Sequence, residues 1–116
     1  MADKGVVERV FCKHAIDAVV HAGALHKPDI ARTSTQHFVD GNVTGTLNLL
    51  EAAVAAGNDR FAFTSTTSLM VSQAIRDEAG PAAVWLDEST GPPRNIYGVT
   101  KLAAEGLCRL HFLAHG

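Results

Sequence analysis

Tyr97 and Lys101 lie four positions apart in the segment NIYGVTK, residues 95 to 101. If this segment begins a helix, the two side chains share one face, about 5 to 6 Å apart. An ammonium group that close favours a charged phenolate over a neutral phenol, and a phenolate is a general base. The same spacing is also typical of an ordinary amphipathic helix with a solvated lysine. The position of the pair in the fold has to decide between these interpretations.

A cluster of hydroxyl side chains, TSTTS at residues 64 to 68, follows the apolar segment FAF. A hydroxyl at the end of a buried strand, next to a tyrosine and a lysine, makes a group suited to proton transfer. The alternative is that these residues only form turns and caps. Their order along the chain, with the tyrosine segment following after one loop, favours the proton-transfer interpretation.

Apolar periodicity and chain-breaking residues predict the elements that position these groups. A helix is expected over residues 4–14, and IDAVVHAG, residues 16–23, reads as a strand buried on both faces. Thr33 to Gln36 have the spacing of a capping box and open a long helix that ends at Gly57. A second buried strand begins at RFAF, residues 60–63, a long irregular loop covers 70–94, and a last helix follows.

Strands that alternate with helices of this length imply right-handed crossovers and a parallel sheet. The predicted fold class is therefore α/β, a partial Rossmann-like parallel sheet with flanking helices. In such sheets, ligands bind beyond the carboxyl ends of the strands. In this chain those ends are residues 22–24 and 64–68.

Length and composition limit the function. The chain has 116 residues, 47% of them hydrophobic, and a net charge of −2. These values predict one small folded domain and give no support for nucleic-acid or membrane binding. Without an apolar leader or a run of about 18 apolar residues, we expect a cytoplasmic protein.

Metal and disulfide chemistry are not expected. Cys12 and Cys108 are far apart and form no CxxC pair, so both read as free thiols. The six histidines show no metal-ligand spacing, which predicts no metal site. Trp85 reads as a hydrophobic anchor of the loop rather than a substrate platform, and Asp87 and Glu88 as loop-ordering or solvated charges.

Four segments then resemble one family in the right order: IDAVVHAGALHKP, FVDGNVTGTLNLLEAAVAAG, RFAFTSTTS and DESTGPPRNIYGVTKLAAE. They are similar to the extended short-chain dehydrogenase/reductase family, the NAD-dependent sugar epimerases and dehydratases. The likeness runs from about residue 15 to 110. It implies a nucleotide-sugar substrate and NAD as cofactor, with NADP not excluded.

The resemblance also implies catalytic roles. Tyr97 is the catalytic base and also contacts the cofactor, and Lys101 favours its phenolate while holding the ribose hydroxyls of the nicotinamide. The family hydroxyl lies three positions before a Val-Tyr-Gly triplet, whose place here is taken by residues 69–71 (LMV), so Thr66 takes this role. Ser65 and Thr67 are its alternatives.

Cofactor contacts follow from the same likeness. Ala22, Gly23 and Ala24 match the turn that passes under the cofactor, where small side chains permit close backbone approach. Asn42 matches an asparagine on the nicotinamide side, and His26 stands where some relatives carry a lysine. A dehydratase would need an acid and base pair directly after the catalytic hydroxyl, where this chain has TS, so epimerase and simple dehydrogenase rank higher.

Two family features are missing from the sequence. It contains neither the first strand with its Gly-x-x-Gly-x-x-Gly turn nor a C-terminal sugar-binding portion. We therefore expect residues 1–116 to be an incomplete NAD(P)-binding domain, the middle of a longer protein. The likeness further implies a homodimer through the helices at 34–56 and 95–114. The alternative is a non-catalytic remnant or dimerising module that no longer binds cofactor.

Overall fold

The computed structural model describes residues 1–78, 83–89 and 91–116. In chain order the helices are α1 (Lys4–Lys13), α2 (Thr35–Phe38), α3 (Gly45–Ala55), α4 (Gln73–Glu78) and α5 (Ile96–His115), and the strands are β1 (Val19–His21) and β2 (Phe61–Phe63). The predicted order of long helices and strands is confirmed. No helix in these ranges is both long and apolar enough to cross a bilayer.

The two strands pair in parallel, as the alternating pattern predicts. The register places Val19 beside Phe61 and His21 beside Phe63. The first strand starts at Val19, three residues after the apolar run begins at Ile16. Ile16 lies outside the strand ladder, and its carbonyl accepts a hydrogen bond from Asn58 Nδ2 at 2.9 Å.

The residues that the structure describes cover only one face of the sheet. His21 is 3% exposed and hydrogen-bonds to Thr46 of α3, whereas Val20, on the opposite face, is 75% exposed. The prediction of strands buried on both faces is therefore wrong for this chain. Its helices α3 and α5 lie on the same side of the sheet, because Thr46 of α3 contacts His21, Lys101 of α5 contacts Phe63, and these two strand residues are register partners. The molecule measures 52 × 32 × 18 Å along its principal axes.

The long helix predicted from the capping box is present, with an irregular middle. Helices α2 and α3 are joined without a break by a π-helical segment, Val39–Thr44. The N-cap is Ser34, one residue later than the capping box predicts, and its hydroxyl accepts the His37 N–H at 3.3 Å. Gly57 ends the helix with φ of 69°, a left-handed conformation that favours glycine.

The segment before α5 is more regular than predicted. A 3₁₀ turn spans Thr67–Met70 and α4 follows, so the expected long irregular loop over 70–94 is partly helical. Residues 79–82 and 90 of that loop lie outside the described residues. Trp85 is 96% exposed, so the prediction that it anchors the loop is wrong.

Candidate active site

Tyr97 lies in the first turn of α5. Asn95 caps this helix, accepting the Gly98 N–H through Oδ1 at 2.9 Å. Gly98 lies directly against the hydroxyl segment, since a methyl group on it would come within 2.9 Å of the Ser68 carbonyl oxygen and 2.6 Å of Pro93 Cβ. The close packing that only glycine permits brings the start of α5 onto the end of β2.

Thr66 occupies the N-cap of the 3₁₀ turn. Its Oγ1 accepts the Ser68 N–H at 3.2 Å, which leaves its hydroxyl hydrogen available for a second group. Of the two alternatives, Thr67 is exposed and Ser65 has a buried Oγ without a hydrogen-bond partner among the described residues. The structure thus brings Thr66 and α5 to one place, joined through Ser68.

Lys101 is the most enclosed charged group at the site. It is 3% exposed, its ammonium donates to the Thr64 carbonyl, and Nζ lies 3.9 Å from the centroid of the Phe63 ring. Burial lowers the pKa of Lys101, opposed by the nearby Cys108 and Glu105. A solvated lysine, the ordinary interpretation of its spacing from Tyr97, is therefore excluded.

Asn42 connects three parts of the site. Its Oδ1 accepts the Leu25 N–H at 2.8 Å, and its Nδ2 donates to the Leu25 carbonyl at 3.0 Å and to Thr100 Oγ1 at 3.1 Å. Asn42 is 1% exposed and lies in the π-helical segment. It holds the chain just after β1 at a fixed distance from α5, one turn from Tyr97.

The segment after β1 has the expected small side chains. Ala22 and Gly23 are exposed and Ala24 is half-buried. The space beside Gly23 is filled by Met1, whose Cε would lie 3.0 Å from a methyl group placed there. Further along, the His26 ring packs on the Tyr97 ring with centroids 5.5 Å apart, and Tyr97 is 6% exposed.

Several site residues were missed by sequence reasoning. These are Phe63, which contacts Lys101, Thr46 and Thr100, which hydrogen-bond to Asn42, and His21, which contacts Thr46 and Phe63. Phe63, Thr46 and Thr100 carry no local pattern that marks them. For His21 a signal existed, because a polar residue closing a buried apolar strand needs a buried partner. Within the described ranges, no three histidine, cysteine or acidic side chains lie close enough together to hold a metal ion.

The described residues form a Rossmann-like layer in which Thr66 and the ammonium of Lys101 lie just after β2 and Tyr97 lies in the first turn of α5. The family model for the NAD-dependent epimerase/dehydratase family matches residues 1–116. The chain belongs to this family.

Two curated relatives illustrate its range. The chain is 35% identical to UDP-glucose 4-epimerase 2 of Oryza sativa subsp. japonica, covering 94% of this chain and 25% of the relative. It is 36% identical to L-arabinose 1-dehydrogenase (NAD(P)(+)) of Haloferax volcanii, covering 98% of this chain and 45% of the relative. The chain therefore spans between a quarter and a half of the length of these relatives.

A solved structure confirms the fold class. The chain superposes on UDP-glucose 4-epimerase of Thermotoga maritima, crystallised with UDP-glucose, with a TM-score of 0.80 and 25% identity. The match covers 99% of this chain and 36% of that one. The predicted partial Rossmann-like α/β fold is thus confirmed.

Proposed function

We propose that the chain forms the central part of an NAD(P)-dependent sugar-nucleotide epimerase or oxidoreductase within a longer polypeptide. The observation that carries the proposal is the placement of Lys101, a buried lysine held at the carboxyl end of β2, four residues after Tyr97 on the same helix. A buried ammonium is costly unless it has a partner, and this one lies at the sheet edge where ligands bind in such folds.

Tyr97 is the proposed base. Its phenolate would take the proton from a sugar hydroxyl, and the Thr66 hydroxyl would donate a hydrogen bond to the same oxygen as it becomes a carbonyl. The packing of Gly98 on Ser68 supports this pairing, because it brings the first turn of α5 to the segment that contains Thr66. A bound nicotinamide cofactor would accept the hydride from the sugar carbon.

The residues present fit one end of such a cofactor. Lys101 would donate to the ribose hydroxyls from its place beside Thr64. The small side chains of Ala22, Gly23 and Ala24 would permit close approach to the backbone after β1 once Met1 leaves the space beside Gly23. Asn42 would act by holding this backbone through Leu25. No glycine-rich phosphate turn occurs in the sequence, so the pyrophosphate would be held by residues from elsewhere in a longer polypeptide.

Among related reactions, epimerisation or simple oxidation is preferred to dehydration. Thr67 and Ser68 stand directly after the proposed catalytic hydroxyl, and neither can serve as the carboxylic acid and base of a dehydratase. NAD is the proposed cofactor. The curated dehydrogenase relative carries both NAD and NADP in its name, so NADP is tested beside it.

A homodimer is part of the proposal. Four apolar side chains on one side of α5 are exposed and follow helical spacing: Val99 at 48%, Leu102 at 45%, Leu110 at 59% and Leu113 at 72%. A matching stripe on a second copy would cover them. Sedimentation equilibrium should show a dimer that Leu110→Glu and Leu113→Glu together convert to monomer, and a monomeric parent would refute this part.

One observation favours the alternative, a non-catalytic module that no longer binds cofactor. Met1 fills the space beside Gly23, where the backbone would otherwise be open. Isothermal titration with NAD⁺ and NADP⁺ separates the two functions. Sub-millimolar binding that is weakened by Lys101→Met, but not by the same change at the exposed Lys27, supports the enzyme. If neither this chain nor the longer polypeptide gives a heat of binding with either cofactor, the module is supported.

A further inference from the structure

His21 and Lys101 both lie against one aromatic ring, that of Phe63. The centroids of the His21 and Phe63 rings are 5.4 Å apart, and Lys101 Nζ lies 3.9 Å from the centroid of Phe63. Both polar side chains are 3% exposed, so solvent does not separate them. Two groups that can carry positive charge therefore share one enclosed region on the covered face of the sheet.

The hydrogen bonds of His21 define its state. Thr46 Oγ1 donates its single hydrogen to the Asn42 carbonyl at 2.6 Å. At its 2.9 Å contact with His21 Nε2, Thr46 must then accept, so this ring nitrogen carries the proton. A neutral imidazole meets this requirement, with Nδ1 deprotonated. A second proton would go to Nδ1 and would make the ring a cation.

The same hydrogen bonds continue to α5. From Asn42 the path runs through Nδ2 to Thr100 Oγ1, which shares its single hydrogen between the Ile96 and Tyr97 carbonyls at 2.8 and 3.1 Å. Thr46, Asn42 and Thr100 are each 2% exposed or less. His21 is thereby linked to α5 twice, through the Phe63 ring and through a buried chain of hydrogen bonds.

The charges around His21 oppose its protonation. Among the described residues, the charged groups that act on it are both positive, the Lys101 ammonium from α5 and the amino group of Met1, which is charged only where it is a free amino terminus. Burial, followed by these two charges, lowers the pKa of His21. Around Lys101, Cys108 and Glu105 of its own helix act in the opposite direction and support its positive charge.

We propose that His21 is a positioning residue for Lys101. While neutral, His21 lets the ammonium stay on Phe63 and at the Thr64 carbonyl, and protonation of His21 drives the ammonium away from both. This inference rests on the proposed function, because the position of Lys101 matters only if Lys101 holds the cofactor. It would make the cofactor site sensitive to acid through a residue that touches neither cofactor nor substrate.

The test observes Lys101 directly. The chain has four lysines, so ¹³Cε-labelled lysine gives few signals, and the signal absent from Lys101→Met belongs to Lys101. Its Hε protons should lie upfield of the other lysines because of the Phe63 ring, and Phe63→Leu should remove this displacement. On acidification, the Lys101 signal should move with the same midpoint as the His21 ring protons while the circular dichroism stays constant.

A matched pair of variants completes the test. His21→Gln retains a side-chain N–H for Thr46 but cannot become charged, so it should hold the Lys101 signal constant over this pH range. His14→Gln, at an exposed histidine, should leave the movement unchanged. If His21→Gln does not fold, the wild-type titration decides.

The inference is overturned if the chemical shift of Lys101 stays constant while His21 titrates, or if it moves equally in His21→Gln. The readout needs no cofactor, so failure of cofactor binding with a coupled Lys101 signal would refute the proposed function alone.

Discussion

The Lys101 ammonium lies over the ring of Phe63, with Nζ 3.9 Å from the ring centroid, and donates to the carbonyl of Thr64, the next residue. Phe63, the last residue of β2, and Thr64 thus hold the ammonium group of Lys101, whose backbone lies in α5. A cation over an aromatic ring is stabilised by about 0.5–2 kcal/mol, more when water is excluded. The contact explains how a small sheet retains a buried charge at its ligand-binding edge.

Lys101→Met should make the chain more stable near neutral pH while it weakens cofactor binding. Burial lowers the pKa of Lys101 from its usual 10.5, so the folded state pays a penalty while the group is charged. This penalty is complete at pH values below the lowered pKa of Lys101 in the folded state, and it disappears as the pH rises to 10.5. The wild type should therefore gain stability with pH through that window.

Urea unfolding at several pH values measures this effect. Lys101→Met should show a higher midpoint at neutral pH and no gain in that alkaline window. Lys27→Met, at an exposed lysine, serves as the control and should behave as the wild type. A variant at 101 that unfolds at lower urea than the wild type would show that the buried ammonium is a net stabilising group.

His21→Gln should reduce the sensitivity of the fold to acid. The pKa of His21 is lowered from its usual 6.5, so the unfolded chain binds the proton more readily than the folded chain. The contribution of neutral His21 to the stability of the fold is complete above pH 6.5. It is lost as the pH falls from 6.5 through the lower pKa of His21 in the folded state. One proton accounts for at most about 1.4 kcal/mol per pH unit.

Thermal unfolding between about pH 4.5 and 8.5, roughly two units on either side of the usual histidine value, checks this expectation. The slope of stability against pH should be smaller in His21→Gln than in the wild type and in His14→Gln. Equal slopes in all three proteins would mean that other groups govern acid unfolding.

Two glycines of α5 should respond to alanine in opposite directions. Gly98→Ala would place a methyl group 2.6 Å from Pro93 Cβ and 2.9 Å from the Ser68 carbonyl, so α5 must move away from the hydroxyl segment. Gly106→Ala meets nothing within 4 Å and removes a flexible residue from a helix interior.

We expect Gly106→Ala to stabilise the chain by about 0.5–1 kcal/mol, and Gly98→Ala to destabilise it by about 1–3 kcal/mol, the usual cost of overpacking. Chemical denaturation measures both. In the longer polypeptide only Gly98→Ala should reduce turnover. If Gly98→Ala is tolerated in both assays, α5 does not depend on this contact for its position.

The two thiols should react at different rates. Cys12 is exposed, whereas Cys108 is half-buried and burial raises its pKa above its usual value. Iodoacetamide at neutral pH should therefore modify Cys12 first. Mass spectrometry of the wild type and of Cys12→Ser locates the label, and faster labelling of Cys108 would show that α5 opens readily in solution.

The fold was largely predictable because its signals are local. The apolar stripe of α3, the ending at Gly57 and the two short apolar strands each depend on residues close together in the chain. The exposure of Val20 was not predictable in this way, since it depends on whether other chain segments cover the second face of the sheet. Trp85 illustrates the same limit, because its apolar character says nothing about which partner reaches it.

The candidate site follows a sequence pattern in one part and depends on packing in the other. Tyr97 and Lys101 were proposed from their spacing and Thr66 from family likeness, and the structure places the Lys101 ammonium at the end of β2 and Thr66 at the N-cap of the 3₁₀ turn. Phe63 and His21 were missed because their contacts join elements that are distant in sequence. The π-helical segment around Asn42 was missed as well, since the apolar spacing of its neighbours is that of an ordinary helix.

The replacement Tyr97→Phe in the longer polypeptide tests the central claim most directly, because it removes one oxygen and keeps the ring against His26. Turnover of a nucleotide sugar, followed by the absorbance of the reduced nicotinamide or by product analysis, should fall by about 10²- to 10⁴-fold. The affinity for NAD⁺ should fall by no more than about tenfold, since one hydrogen bond contributes on the order of 0.5–1.5 kcal/mol. Turnover equal to that of the wild type would contradict the assignment of Tyr97 as the base.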